Sequence, residues 1–320
     1  MTRTILVFVG LLTMLLIPTV HAAEFALEKA DDGITVKLDG KVLTRYLIQS
    51  GTKPVLWPLI GPTGNPITRG FPMLDATETE KADHPHHRSV WFTHGDVNGI
   101  SFWHEGDQSK PADTKPRIVH QEFLKADAGK AAVICTRNDW LAADGTKQCE
   151  DERIITFGTE GGNVWIDFDV TVRATDKPVK FGDTKEGTFG VRVAGTMKPD
   201  AGKGGKIVNS EGDTDKGAWG KAASWVDYHG PVDGETVGIA IFNHPKSFRY
   251  PTYWHVRTYG LFAANPFGLH HFKGSRSVDG SHVLQPGQSM RLLHRVLLHK
   301  GDEKEGQVAK AFEKYKATSK

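Results

Sequence analysis

Cysteine is nearly absent, with Cys135 and Cys149 the two in 320 residues. No CxxC pair occurs, which removes the usual structural zinc sites. An oxidising compartment would permit a disulfide. However, a turn at Asp144-Gly145 would set Cys149 opposite a residue near 140, not opposite Cys135. That offset argues against a bridge, whose Cα atoms must lie within about 7 Å. Charge of one sign is also lacking: Lys+Arg 40 against Asp+Glu 38 leaves +2. With no long basic stripe, nucleic acid is not an expected partner. GxSxG is missing and no serine stands out, so a Ser-His-Asp hydrolase is disfavoured. HExxH and two-His-one-carboxylate spacings are missing too. No acidic pair announces a two-carboxylate glycosidase. Helical periodicity is confined to Lys304–Ala317, where Val308, Phe312 and Tyr315 fall at i, i+4, i+7. This helix is expected to cap one end of a sheet.

Long apolar runs are scarce as well. The one present, Ile5 to Val20, follows Arg3 and precedes Ala22-Ala23, the pattern of a cleaved secretory signal over residues 1–23. At roughly 16 residues it is shorter than the roughly 20 that span a bilayer. No cysteine follows it to carry a lipid anchor. The expectation is a secreted or periplasmic protein whose residues 24–320 form a single domain without a membrane span. Removing Arg3 takes the +2 to +1.

What remains is short strands and turns. Ile34–Leu38 alternates, Asp39-Gly40 signals a hairpin, and Lys41–Leu47 returns. Gly51 to Pro72, with prolines at 54, 58, 62, 66 and 72, reads as an ordered loop. Strand patterns recur at Arg117–Phe123, Ala131–Trp140, Cys149–Phe157, Asn163–Val172, Thr188–Val193, Ala223–His229, Thr236–Phe242, Trp254–Phe262 and Met290–Leu298. In Asn163–Val172, Val164, Ile166, Phe168, Val170 and Val172 share one face. Met197 to Gly220 reads as a long loop, a candidate lid. So many strands and so little helix predict an all-β fold, a large antiparallel β-sandwich with one C-terminal helix.

The densest chemistry is Asp83-His84-Pro85-His86-His87-Arg88, followed by Val90-Trp91-Phe92 and His94-Gly95-Asp96. Four of the fifteen histidines lie between 84 and 94. Neutral imidazole is both a proton shuttle and a common metal ligand. Pro85 stiffens the corner and restricts the residue before it.

That run, with His94-Gly95-Asp96-Val97-Asn98-Gly99, Phe102-Trp103, Lys185-Glu186-Gly187 and Asn265-Pro266-Phe267-Gly268, resembles the DUF6807 family over nearly all of the chain after residue 23. Its members are often labelled "methane oxygenase PmoA family". A methane monooxygenase subunit spans the membrane many times, and this chain has no span after its leader, so that role is rejected. The resemblance implies a galactose-mutarotase-like supersandwich among secreted proteins of carbohydrate degradation, often beside sugar oxidoreductases.

Period 2 predicts that Arg88, Val90, Phe92 and His94 share a face. Arg192 shares one with Glu186 if its strand extends back that far, and His255, Arg257 and Tyr259 share a third. Such residues converging on one hollow would make a polar groove with aromatic walls, suited to a sugar. The expected catalytic residues are His86, His94, Glu186 and His255. Arg88, Trp103, Arg192, His244, Arg257 and Asn265 are expected to hold substrate. A divalent metal ion is a candidate cofactor, drawing ligands from His84, His86, His87 and His104, with Asp83 or Asp96 behind them. Each has a plainer reading. The cluster could merely pin its loop, Arg192 and Arg257 could face water, His255 could be a core histidine, and His244 could belong to a turn. His270-His271 has no carboxylate beside it in the sequence.

Two schemes fit. In one, a metal ion or an arginine pair holds an oxidised (keto) sugar while a histidine removes the proton beside the carbonyl. The glycosidic bond then leaves by elimination or net hydrolysis, with Glu186 or His255 as acid. In the other, an aldose 1-epimerase-like mutarotase, a histidine protonates the ring oxygen and Glu186 takes the anomeric proton. Trp57, Trp103, Trp219 and Trp254 also allow a non-catalytic carbohydrate-binding protein.

Overall fold

The computed structural model describes residues 23–318. The expected leader therefore lies, but for its last residue, outside the described residues. In chain order the first strands are β1 (Phe25–Ala30), β2 (Gly33–Leu38), β3 (Lys41–Ser50), β4 (Lys53–Leu59), β5 (Val90–His94) and β6 (Arg117–Asp127). Next come β7 (Ala132–Leu141), β8 (Lys147–Glu160), β9 (Asn163–Arg173), β10 (Val179–Phe181), β11 (Gly187–Arg192) and β12 (Lys206–Asn209). The last are β13 (Trp225–Val232), β14 (Glu235–Asn243), β15 (Tyr253–Val256), β16 (Leu261–Asn265), β17 (His282–Leu284) and β18 (Ser289–Lys300). Two α-helices join them, α1 (Leu269–Phe272) and α2 (Val308–Lys316). No helix among the described residues is long and apolar enough to cross a membrane.

Two eight-stranded antiparallel sheets form the sandwich. The front sheet runs β1-β2-β3-β4-β5-β11-β16-β15, and the back sheet β12-β13-β14-β18-β9-β8-β7-β6. β10 and β17 pair separately. The Asp39-Gly40 hairpin forms as its residues dictate, both left-handed at φ 50° and 75°. Cys149 pairs with Trp140 across β7 and β8, while Cys135 faces Ile154, and both thiols are free and buried.

Strand alternation makes the core. Tyr46, Leu56, Val90, Phe92, Phe189, Val191 and Phe262 of the front sheet meet Ile134, Ile155, Ile166, Phe168, Val170 and Val296 of the back in one apolar cluster. A fully buried side chain of this size contributes about 1.5–3 kcal/mol over an exposed one. Helix α2 lies on the outer face of the back sheet, with Val308 and Phe312 against Phe242 and Leu297, rather than capping an end.

Three strand expectations are corrected. Residues 51–72 hold a strand, β4, whose prolines leave room for few ladder partners: it meets β5 only through Val55–Trp91 and Leu56–Val90. The stretch 197–220 holds the edge strand β12. Trp254–Phe262 is a hairpin, not a strand, because Gly260 takes φ 104° and Arg257 N–H bonds to Leu261 O at 2.8 Å.

Candidate functional site

The outer face of the front sheet carries a second, smaller apolar patch. It consists of Leu47, Val55, Trp91, Trp103, Leu261 and Ala263, with Trp57 and Tyr259 packed onto it. Gly190 permits this floor, since a Cβ there would sit 2.6 Å from the Trp91 ring. The histidine corner stands on that floor. Rings stack in a row, with Tyr259–His84 centroids 5.6 Å apart, His84–His87 4.9 Å and His87–Trp91 5.3 Å. His86 meets His87 edge-on at 4.5 Å and His104 at 4.9 Å. The Pro85 corner is a turn closed by His87 N–H on His84 O at 2.9 Å, with His84 and Ser89 in left-handed backbone (φ 46° and 53°).

Arg69 holds the corner in place, and nothing in the sequence singled it out. Its guanidinium, 1% exposed, donates to Asp83 O at 3.0 Å, His84 O at 2.8 Å, His87 O at 3.3 Å and Asp83 Oδ1 at 3.2 Å. Arg192 sits beside it, donating to His87 Nδ1 at 3.0 Å with its guanidinium 4.8 Å from the Tyr259 ring centre. A guanidinium can only donate, so His87 accepts at Nδ1 and carries its proton on Nε2, a buried atom with no partner. Burial holds His87 well below the usual imidazole range, and burial together with Lys53 brings His86 to about 3.

Beneath the corner lies a buried ion triad. Glu105 takes Arg88 through Nε at 2.8 Å and Nη2 at 2.7 Å, and takes Lys53 at 2.6 Å. Burial alone would raise the Glu105 carboxyl, but Lys53 and Arg88 outweigh it and hold it at about 2. Arg88 therefore serves the scaffold, a correction to its expected place against substrate. The Ser89 kink breaks the alternation, so Arg88 and His94 do not share a face.

His94 points into the sandwich. Its ring packs 4.8 Å from Phe267 and 5.4 Å from Phe181, Nε2 meets Gly182 O at 2.9 Å, and burial holds it at about 4. The structure does not bring it to the corner. Nor does it bring His244, which follows β14 in the back sheet with its ring 5.0 Å from Tyr315 of α2. Asn265 is committed locally, donating to Thr184 O at 2.8 Å and accepting from Phe267 N–H at 2.9 Å. Trp103 is floor, fully buried 5.2 Å from Trp91.

The other end of the face is built on residues 183–186. His255, 3% exposed on β15, donates Nδ1–H to Lys185 O at 2.8 Å. That bond leaves Nε2 as a lone pair with no hydrogen-bond partner among the described residues. Burial brings His255 to about 4 despite the nearby Glu186 charge, so it is neutral at pH 7. Burial would raise Glu186, but its ion pair with Lys185, and His255 beyond, hold it low and ionised. The same Glu186 charge acts on His104, which ties this end to the corner. The His255 ring lies 6.4 Å from Trp219, and Arg257 covers Trp219 and Tyr259 at 5.8 and 5.7 Å. His270 does have a carboxylate, since Asp183 meets its Nδ1 at 2.7 Å from 87 residues away in the chain.

Among the described residues, no three His, Cys, Asp or Glu side chains are grouped to hold a metal ion. The rings of His84, His86, His87 and His104 stack or meet edge-on instead. As placed, these residues do not fit a metal centre.

No curated protein matches the chain. Among solved structures it is similar to a galactose mutarotase-like protein from Lactobacillus casei (TM-score 0.36, 11% identity, 86% of this chain and 100% of that one). It is similar to a polysaccharide lyase (TM-score 0.34, 13% identity, 90% of this chain, 34% of that one). A galactose mutarotase related enzyme from Lactobacillus acidophilus matches at TM-score 0.29 and 10% identity, over 86% of this chain and 97% of that one. Overlap this loose says nothing of the chemistry. The family comparison is firmer: the match runs over residues 33–313, and the chain belongs to DUF6807, a family of unknown function.

Proposed function

We propose that this is an exported carbohydrate-active enzyme that breaks a glycosidic bond by removing a proton beside a carbonyl of an oxidised sugar. The observation that carries the reading is His255, which is buried, neutral and tethered at Nδ1, with a free Nε2 lone pair beside an ionised Glu186. A neutral imidazole is a base and not an acid at pH 7. Mutarotation needs an acid for the ring oxygen, a part that none of His86, His87 and His255, held unprotonated, fills at rest. Glu186 is likewise ionised and is not the resting acid expected from sequence.

In the scheme the sugar lies against the half-buried Trp219 and Tyr259 rings, and His255 Nε2 takes the proton from the carbon next to the carbonyl. The Lys185 charge, which reaches His255 and is shared with Glu186, offsets the negative charge of the carbanion. The C–O bond to the leaving group then breaks as a C=C bond forms. The proton on His255 passes to the leaving oxygen, and water can add across the double bond afterwards to give net hydrolysis. Glu186 stabilises the transient His255 imidazolium. Glu186→Gln should lower kcat about ten-fold or more with a smaller change in binding. Unchanged kcat on keto-disaccharides would remove Glu186 from the scheme. A second reading, binding without turnover, is favoured by the half-buried Trp219 and Tyr259 rings beside the exposed Arg257, and product formation separates the two.

A further inference from the structure

Beyond His255 the face continues into a hollow of about 230 Å³ lined by Lys216, Trp219, Val256, Arg257 and Thr258. We infer that this hollow binds the carboxylate of an acidic sugar, a uronic acid unit, and that this carboxylate is the activating carbonyl of the reaction. The inference rests on the proposed proton abstraction and names its substrate class.

Three observations converge. The Arg257 guanidinium and the Lys216 ammonium, both exposed, make no ion pair or side-chain hydrogen bond among the described residues, and Arg257 is held over the faces of Trp219 and Tyr259. Stacking leaves the edge of a guanidinium free for a planar, two-oxygen acceptor. The acids nearby are largely committed. Glu186 pairs with Lys185, Asp83 lies among Arg69, His84 and Arg192, and Asp215 accepts from Ile207 N–H at 3.0 Å. Asp200, exposed, reaches the hollow through its backbone bond to Thr258 O at 3.2 Å, so the two cations outnumber it. Finally, Trp219 Nε1–H is buried and unpartnered, a donor without its acceptor.

Spacing ties the hollow to the base. His255 and Arg257 fall on one side of the same stretch of chain, two residues and so about 7 Å apart. A sugar ring whose carboxylate sits on Arg257 presents the carbon bearing that group toward His255. Neutralising the carboxylate makes the adjacent C–H more acidic. The C5–H proton moves to His255 Nε2, the C4–C5 double bond forms, and the C4–O bond breaks. The leaving oxygen keeps the electron pair and takes the proton. The products are a 4,5-unsaturated uronate and a free hydroxyl, with no oxidant or other reactant needed.

The test compares a uronic acid disaccharide, its methyl ester and the neutral disaccharide. Binding is measured by titration calorimetry on His255→Gln, which should bind without turning over. The uronate should bind about ten-fold tighter than the ester. Arg257→Met and Lys216→Met, introduced in the same background and checked by circular dichroism, should each shrink that ratio several-fold. Equal binding of acid and ester, or a preference that survives both substitutions, overturns the inference. Failure here is distinct from failure of the proposed reaction. If the unsubstituted protein cleaves a neutral keto-disaccharide and shows no acid preference, only the carboxylate site falls. If it prefers the acid yet forms no unsaturated product and exchanges no C5 hydrogen for deuterium in D2O, the proton abstraction falls.

Discussion

Lowering the pH from 8 to 5.5 should remove a large part of this protein's stability. Burial holds His86 and His294 at about 3 and His94 and His255 at about 4, with His87 also well below 6.5. Above about pH 7 these groups are neutral in both states and contribute nothing to pH dependence. As pH falls through 6.5 the unfolded chain takes up protons that the fold refuses until about pH 4 or below, so stability is lost across that window. At pH 5.5 an unfolded imidazole is protonated about ten to one, which costs about 1.4 kcal/mol per group. His86, His94, His255 and His294 together cost about 6 kcal/mol by the same linkage, and His87 adds to the loss. His299 opposes them: burial would lower it, but Asp227 at 3.3 Å raises it, so its contribution grows as pH falls. The loss of about 6 kcal/mol from those four compares with a whole-domain stability of about 5–15 kcal/mol. Urea midpoints followed by tryptophan fluorescence at the two pH values measure it. Equal midpoints would mean that the imidazoles protonate inside the fold, and His255 would lose the neutrality the mechanism needs.

Other outcomes follow from single side chains. Arg69→Ala should cost about 3 kcal/mol and abolish sugar binding, because the carbonyls at 83, 84 and 87 lose their common donor; calorimetric binding near that of the parent would show that the corner holds without it. Glu105→Gln should destabilise by about 3–5 kcal/mol, since Lys53 stays buried without its counter-charge, whereas Lys53→Met with Glu105→Leu should recover much of the loss in chemical denaturation. His94→Ala should cost about 2–4 kcal/mol by opening a cavity against Phe267 while leaving turnover per folded molecule nearly unchanged, and a large fall in kcat would return His94 to the site.

The strands and the sandwich were legible because alternation and turn residues report burial directly: β9 and the Asp39-Gly40 hairpin need no tertiary information. The corner's location was legible too, from the crowding of His84, His86 and His87. Its supports were not. Arg69 works through backbone carbonyls, which leave no mark on the residues that carry them. Lys53 and Glu105 are 52 positions apart, and neither carries a local pattern. The face assignments failed where backbone departed from period 2. The left-handed Ser89 set Arg88 apart from the inner face that Val90, Phe92 and His94 share, and Gly260 folded one expected strand into a hairpin, which lifts Tyr259 onto the His84 ring. Asp183 beside His270, and Lys185 O beside His255, come from a loop whose position depends on Asn265 and β16.

The central claim, that His255 is the base, is tested most directly by solvent deuterium exchange. A disaccharide oxidised next to its glycosidic bond is incubated in D2O, and the carbon beside the carbonyl is followed by NMR. Label should enter that position, or product should form, with the unsubstituted protein, and neither should occur with His255→Gln folded to the same circular dichroism. Exchange or cleavage at the parent rate in His255→Gln would contradict the account.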